Sequence, residues 1–160
     1  MTSPSESTML GNDGQVGGNF LLEIDGVEIG MFQSVSGLQV SVQTEDLVEG
    51  GQNGFTRKLP GRMDWPNVVL SRGLIKSDNL FDWMSKTSGE GFAASGNKLK
   101  RCTGAITALG QDGARLRAWN LAGCFPVRWK GPEFNVTSND ALSEELEIAH
   151  EGFRSETQAK

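Results

Sequence analysis

The chain has 160 residues, of which 37% are hydrophobic and 22% are charged, and its formal net charge is −5. This length fits one domain with one core, and this composition excludes a chain that is disordered throughout. No group of residues is basic enough to indicate direct binding of nucleic acid, and no stretch reaches the roughly 18 apolar residues of a membrane span. The N-terminus lacks the basic start and apolar run of a secretory signal, so we expect folding in the bacterial cytoplasm.

Glycine is unusually frequent, with 21 residues in the chain. The glycines have no fixed period, which excludes a collagen-like helix, and they separate short apolar runs, as turns do. Short strands joined by turns are therefore expected rather than long helices.

The chain is expected to have three parts. Residues 1–18 are rich in Ser, Gly and Asn and are predicted to be a flexible arm. Residues 19–153 are predicted to form the folded domain, and residues 154–160 a C-terminal tail. At the start of the domain, Phe20, Leu22 and Ile24 alternate with other residues, which predicts a strand with one buried face; Asp25-Gly26 then predicts a hairpin turn.

The segment from Glu45 to Phe55 is first acidic and then rich in glycine, and it is predicted to be a long exposed loop. Loops of this length are usually functional or disordered. Glycine lets a backbone approach a partner closely, and apolar side chains in such a loop need a surface to cover them. The strand that follows is expected to end at a Pro60-Gly61 turn. We predict a subunit interface at this loop and the strand after it, formed by Val48, Gly50, Gly51, Gly54, Phe55, Lys58 and Leu59.

One helix is predicted, from about residue 79 to residue 88. Ser77-Asp78 offers an N-cap, apolar residues follow at helical spacing, and Gly89 can end the helix. The rest of the domain is predicted as strands, about eight in all. The later ones are expected at 68–70, 99–109, 114–124 with a bent extension over 126–129, and 142–153. Short strands at this spacing predict a mainly β sandwich or barrel.

Residues that usually carry catalysis show no recognisable arrangement. The single histidine, His150, has neither a nucleophile partner nor a second histidine at helical spacing, so we expect it on the surface or at a strand end. On a strand, Glu145 and Glu147 point to one face and Glu144 to the other, and a polar strand face explains them. We therefore expect no enzyme activity.

Cys102 and Cys124 lack a CxxC spacing, so no zinc site is expected. Each lies eleven residues from Gly113, and a hairpin that turns there could bring the two thiols together. A slip of one residue in register would instead put them on opposite faces. We expect two reduced, partly buried thiols, and a bond between them remains an open alternative.

Several short motifs, in this order along residues 19–153, resemble the tube proteins of contractile phage tails. They are Phe20-Leu21-Leu22-Glu23-Ile24-Asp25-Gly26, Phe32-Gln33-Ser34-Val35-Ser36-Gly37-Leu38, Arg57-Lys58-Leu59-Pro60-Gly61-Arg62, Val69-Leu70-Ser71-Arg72-Gly73, Leu80-Phe81-Asp82-Trp83, Trp119-Asn120, Ala122-Gly123-Cys124-Phe125-Pro126 and Leu146-Glu147-Ile148-Ala149-His150-Glu151-Gly152-Phe153. The chain is also similar to the tubes of type VI secretion systems and extracellular contractile injection systems.

The resemblance implies a subunit of two antiparallel sheets packed near-orthogonally, with one flanking helix. It implies hexameric rings that stack inside a contractile sheath, with one sheet of each subunit lining a continuous lumen. It implies no catalytic residue, cofactor or metal. The expected partners are further copies of the chain, the sheath protein, the baseplate hub or spike, the tube cap, and DNA or protein cargo in the lumen. The long loop at 45–55 resembles one that reaches neighbouring subunits or the next ring.

Two further hypotheses remain. A soluble β-barrel module that binds a small ligand or a peptide would need a concave apolar pocket with converging polar groups. A hydrolase on a β scaffold would need a catalytic set that the sequence does not show. Between a phage and an injection system, the resemblance leans towards the injection system.

Overall fold

The computed structural model describes residues 16–51, 54–94, 96–137 and 140–157. These residues form ten strands and two helices. The elements are β1 (Val16–Ile24), β2 (Val27–Phe32), β3 (Ser34–Ser36), β4 (Ser41–Leu47), β5 (Arg57–Asp64), β6 (Val68–Gly73), α1 (Asn79–Thr87), α2 (Gly89–Ala94), β7 (Cys102–Gly110), β8 (Arg115–Lys130), β9 (Ser143–Ala149) and β10 (Phe153–Thr157).

Two antiparallel sheets share two bent strands. The first sheet runs β2-β1-β7-β8-β10, and the second runs from the latter half of β8 through β9 and β6 to β3. Only Gln33 separates β2 from β3, so these two strands form one bent strand with a segment in each sheet. The predicted mainly β fold of two antiparallel sheets is confirmed, and the sheets form a roll rather than a closed barrel.

The strand β8 changes sheets where its sequence interrupts regular pairing. Residues 117–121 pair with β10, whereas residues 125–130 pair with β9. Between these segments Gly123 has a φ of 57°, in the left-handed region that glycine enters at little cost. Pro126 then lacks a backbone N–H and lies at a register shift. The bent extension predicted over 126–129 is therefore present.

The core lies between the two sheets. Burial alternates along β6 and β9, as expected for strands with one buried face. From the first sheet the core receives Leu22, Ile24, Ile106 and Leu121; from the second it receives Val68, Leu70, Leu146 and Ile148. Full burial of such a side chain contributes roughly 1.5–3 kcal/mol.

Two helices are present where one was predicted. The first, α1, lies at the predicted place and buries Leu80 and Trp83 against the core. Ser88 interrupts it with extended backbone, and Gly89 has a φ of 63°. The expected break therefore occurs, but the chain turns into α2 after it, so the prediction of a single helix was wrong.

The predicted loop is shorter than expected, because β4 and β5 form a long hairpin. Its two strands pair from Ser41 with Asp64 to Leu47 with Arg57, which leaves residues 48–56 as the connection. The predicted turn at Pro60-Gly61 was wrong: both residues lie within β5, beside a register shift that accommodates the proline. The alternation of Leu38, Val40 and Val42 predicts a strand with one buried face, and this was wrong on burial, because β4 begins at Ser41 and every residue of β4 and β5 is exposed.

The ends of the domain also differ from expectation. The first strand begins at Val16, three residues before Asn19, and β10 extends to Thr157, inside the segment predicted as a tail. Residues 1–15 of the predicted arm and residues 158–160 of the tail lie outside the described residues.

Candidate assembly surface

The predicted interface residues gather at one end of the β4–β5 hairpin. Val48 is 85% exposed and Phe55 is 59% exposed, on the two sides of the connecting loop. Lys58 and Leu59 follow on β5, opposite Asp46 and Glu45. A Cβ atom placed at Gly50, Gly51 or Gly54 would meet no atom within 4 Å. No other described part of this chain therefore packs closely against these glycines.

The hairpin has no core of its own. Every residue of β4 and β5 is exposed, and the two strands pair with each other and with no other described strand. A two-stranded hairpin alone is at best marginally stable in water. Its exposed apolar side chains include the cross-strand pair Val42 and Met63. The hairpin therefore leaves apolar side chains exposed to solvent on a two-stranded element.

The charges of the hairpin are matched across its strands. Asp46 lies opposite Lys58, and the guanidinium of Arg57 lies 3.7 Å from the carboxylate of Glu49. Exposed pairs of this kind contribute little to stability but fix which residues face each other. The hairpin therefore presents a defined strand register rather than an arbitrary loop.

A second group of exposed apolar side chains lies beside the second sheet. Phe134 and Val136 are exposed after β8, and Leu142 is partly exposed before β9. They line an open groove of about 750 Å³. Its other lining residues are largely polar or charged, among them Ser71, Lys130, Glu133, Asn135, Asp140, Ser143 and Glu145.

The carboxylates of β9 are bound by guanidinium groups rather than paired with each other. Arg128 donates from Nη2 to Glu145 at 2.8 Å and from Nε to Glu147 at 2.9 Å. Asn67 also donates to Glu147, and these hydrogen bonds, Asn67 first, lower the pKa of that carboxyl below its ordinary value. Glu145 and Glu147 thus share one face, as predicted.

Glu144, on the other face, forms a buried ion pair with Arg72 that was not predicted. Arg72 donates from Nε to Glu144, and Trp129 donates to the second carboxylate oxygen at 3.2 Å. The guanidinium also lies over the ring of Phe32, with 5.1 Å between Cζ and the ring centroid. Neither Nη atom of Arg72 has a hydrogen-bond partner within the described part of the chain. Sequence offers little signal for this pair, because its members are 72 residues apart.

His150 follows β9 and forms hydrogen bonds with two backbone groups. Gly152 donates its N–H to Nδ1 at 3.1 Å, so Nε2 carries the proton and donates to the carbonyl of Pro66 at 2.9 Å. The ring also lies edge-on to Trp65. The strand-end position expected for this histidine is therefore observed, and both ring nitrogens are engaged.

Among the described residues, no three His, Cys, Asp or Glu side chains are grouped so as to hold a metal ion. No helix in those residues is long and apolar enough to cross a membrane.

The fold resembles tubes of contractile systems. In an extracellular contractile injection system, the PVC sheath-tube complex in its extended state contains a chain that is 25% identical, with a TM-score of 0.76; the match covers 98% of this chain and 100% of that one. A chain of the PVC sheath/tube terminator is 26% identical, with a TM-score of 0.70, over 86% of this chain and 93% of that one. Hcp1 from Flavobacterium johnsoniae shares the fold at 18% identity and a TM-score of 0.50, over 88% of this chain and 96% of that one.

No curated protein matches the sequence. The family described as T4-like virus tail tube protein gp19 matches residues 16–154, which is nearly all of the described domain. The chain therefore belongs to the T4-like virus tail tube protein family.

Proposed function

We propose that this protein is the inner tube subunit of an extracellular contractile injection system. It assembles into hexameric rings, and the rings stack into a tube inside a contractile sheath. The observation that carries the proposal is the β4–β5 hairpin, which is exposed along its whole length and needs a partner surface. Similarity to a chain of a sheath-tube complex supports the same conclusion.

Ring closure requires complementary edges on each subunit. Within the first sheet, β2 pairs only with β1 and β10 pairs only with β8, so each has one edge without a partner among the described strands. An edge of this kind readily pairs with another chain. Head-to-tail pairing of two different edges builds a ring when the rotation closes. We place the ring contact at these edges and the contact with a neighbouring subunit or ring at the hairpin.

The interface residues Val48, Gly50, Gly51, Gly54, Phe55, Lys58 and Leu59 form the end of the hairpin that reaches the neighbouring copy. Phe55 and Val48 supply the apolar contact, and Lys58 the charge at its rim. The glycines allow close approach of the partner, because no atom of this chain occupies the space beside them. Burial of the exposed fractions of these two apolar side chains would contribute about 2–4 kcal/mol per contact before the cost of association.

The further partners follow from the tubes that the chain resembles. Similar chains occur in a sheath-tube complex, a baseplate and a tube-terminating cap. We propose the sheath, the baseplate hub or spike, and the cap as partners of this chain, with DNA or a protein effector as the cargo in the lumen. The particle assembles in the bacterial cytoplasm.

The binding-module hypothesis has less support. The groove beside Phe134 is open, and most of its lining residues are polar or charged. A small-molecule site is instead usually enclosed and mainly apolar.

The test is electron microscopy of the purified full chain over a range of concentrations, together with sedimentation velocity. We expect rings or hollow tubes and a sedimenting species of hexamer mass. Phe55→Asp places a charge in the proposed contact and is expected to abolish tubes. Because the side chain is exposed and outside the core, the melting temperature of the subunit should not change.

The matched control is Phe55→Leu, which keeps an apolar side chain at the same position and should keep the tubes. If Phe55→Asp assembled as well as Phe55→Leu, the hairpin would not be the contact. A stable monomer at high concentration, with no ring in any particle isolated with it, would refute the tube function itself.

A further inference from the structure

The two cysteines lie directly opposite each other on neighbouring strands. Cys102 on β7 is the cross-strand partner of Cys124 on β8. A register shift follows immediately between Cys102 and Gly104, yet both side chains belong to the same core cluster and therefore point to the same face. The two thiols are free and buried.

Their spacing suits a covalent bond. Cα atoms of directly opposed residues on antiparallel strands lie about 4.5–5.5 Å apart, which falls within the range of about 4.4–6.8 Å found for disulfides. A Cβ atom at position 104 would lie only 3.0 Å from the sulfur of Cys124. Because residue 104 is glycine, this sulfur has room to change rotamer within an otherwise packed core.

The two cysteines differ in exposure, since Cys102 is 9% exposed and Cys124 has no exposed surface. Cys102 lines a groove of about 410 Å³ between α1 and β2, together with Trp83 and Val27. Cys124 is fully buried behind it. The charged groups around the groove are Asp25, Glu28, Asp82, Lys86 and Lys100. A small reagent can therefore meet Cys102 first, and Cys124 is placed to react second.

Both thiols are protonated at neutral pH. Burial raises the pKa of Cys124 to about 12, and burial together with Asp25 raises the pKa of Cys102. Since the thiolate is the reactive form, the pair resists oxidation in a reducing cytoplasm.

We propose that Cys102 and Cys124 are a latent disulfide site, which closes when the folded protein meets a small disulfide oxidant. The thiolate of Cys102 attacks the oxidant, forms a mixed disulfide and releases one small thiol. Cys124 then loses its proton, attacks the sulfur of Cys102 and releases the second small thiol. Two protein thiols are oxidised, and one disulfide is reduced to two thiols.

The bond would join β7 to β8 where β8 passes from one sheet to the other, since pairing with β9 begins at Phe125. It would close a loop of 23 residues and so restrict the unfolded chain. From the usual dependence on loop length, we expect the melting temperature to rise by about 7–14 °C. This inference does not depend on the proposed function.

The test treats the reduced, folded full chain at mildly alkaline pH with bis(2-hydroxyethyl) disulfide and measures intact mass without reductant. We expect the loss of two hydrogen atoms, a peptide linking residues 102 and 124, and the rise in melting temperature, all reversed by dithiothreitol. Cys124→Ser should stop at a stable mixed disulfide on Cys102, whereas Cys102→Ser should not react while folded.

Three outcomes would overturn the proposal: no internal bond in the wild type, disulfide-linked dimers as the main product, or a reaction that proceeds only in denaturant. Equal reactivity of the two single variants would also contradict the order of attack. Tryptophan fluorescence, recorded on each variant before oxidation, shows whether it is folded, so a failed fold is not mistaken for an unreactive thiol.

Discussion

Replacing Arg72 with Met is expected to destabilise the fold by about 3 kcal/mol, and replacing Glu144 with Leu by about 4–5 kcal/mol. Both side chains of this ion pair are almost fully buried, with 2% and 6% exposure. Arg72→Met leaves a carboxylate that still accepts one hydrogen bond from Trp129, and it removes two Nη groups that had no partner. Glu144→Leu instead leaves a whole guanidinium in the core without a counter-charge. Glu144→Leu should therefore destabilise the fold more than Arg72→Met.

The double variant, Arg72→Met with Glu144→Leu, distinguishes the stability that the ion pair contributes from the cost of leaving one partner unpaired. Apolar residues of similar volume often replace a buried ion pair at little cost, so we expect a loss of about 0–2 kcal/mol, smaller than that of either single variant. Part of this loss comes from the indole N–H of Trp129, which loses its acceptor. The coupling between the two positions, which is the sum of the single losses minus the double loss, should then be at least about 5 kcal/mol.

Chemical denaturation followed by fluorescence measures these values, since the chain has 4 tryptophans. It should be carried out at concentrations where sedimentation shows one species, because assembly would raise the apparent stability. Single variants that each cost less than about 1 kcal/mol, or losses that simply add in the double variant, would refute the reasoning.

Three other predictions can be tested on the same preparation. A synthetic peptide of residues 41–64 is expected to be largely unfolded by circular dichroism, because the hairpin has no core; a stably folded peptide would contradict the need for a partner. Since hydrogen bonds lower the pKa of Glu147, its carboxylate stabilises the fold above the ordinary value of 4.5, and this contribution disappears as the pH falls through the lowered pKa. Glu147→Gln should therefore melt about 1–3 °C below wild type at pH near 6, with the difference closing at low pH; a difference independent of pH would exclude this cause. His150→Ala removes two hydrogen bonds to the backbone and should cost about 1–3 kcal/mol in denaturation, and a neutral effect would show that water replaces the ring.

Local features of the sequence predicted much of the roll. Alternating apolar residues identified the first strand, and Asp25-Gly26 identified its turn, where both residues have a positive φ. The helix from Asn79 was also identified from its spacing. These predictions succeeded because periodicity and turn chemistry depend on neighbours along the chain. The motif order, in the same way, was enough to indicate the family.

The β4–β5 hairpin could not be predicted in full. Leu38, Val40 and Val42 alternate as in a half-buried strand, yet both faces of β4 and β5 are exposed, and Pro60-Gly61 looked like a turn. The second helix was missed for a related reason, since Gly89 both ends one helix and begins the next. Where burial does not constrain a segment, the pattern of its residues carries little structural information.

The sequence by itself therefore determined the class of fold, the first turn, the main helix and the family. Only the tertiary structure decided which distant side chains meet. The pairing of Arg72 with Glu144 depends on strand order, since β6 and β9 are far apart in the chain. The meeting of Cys102 with Cys124 depends on a register shift near Gly123, and a shift of one residue more would have separated the thiols. Strand order and register are set by the packing of the whole core, which local sequence does not specify.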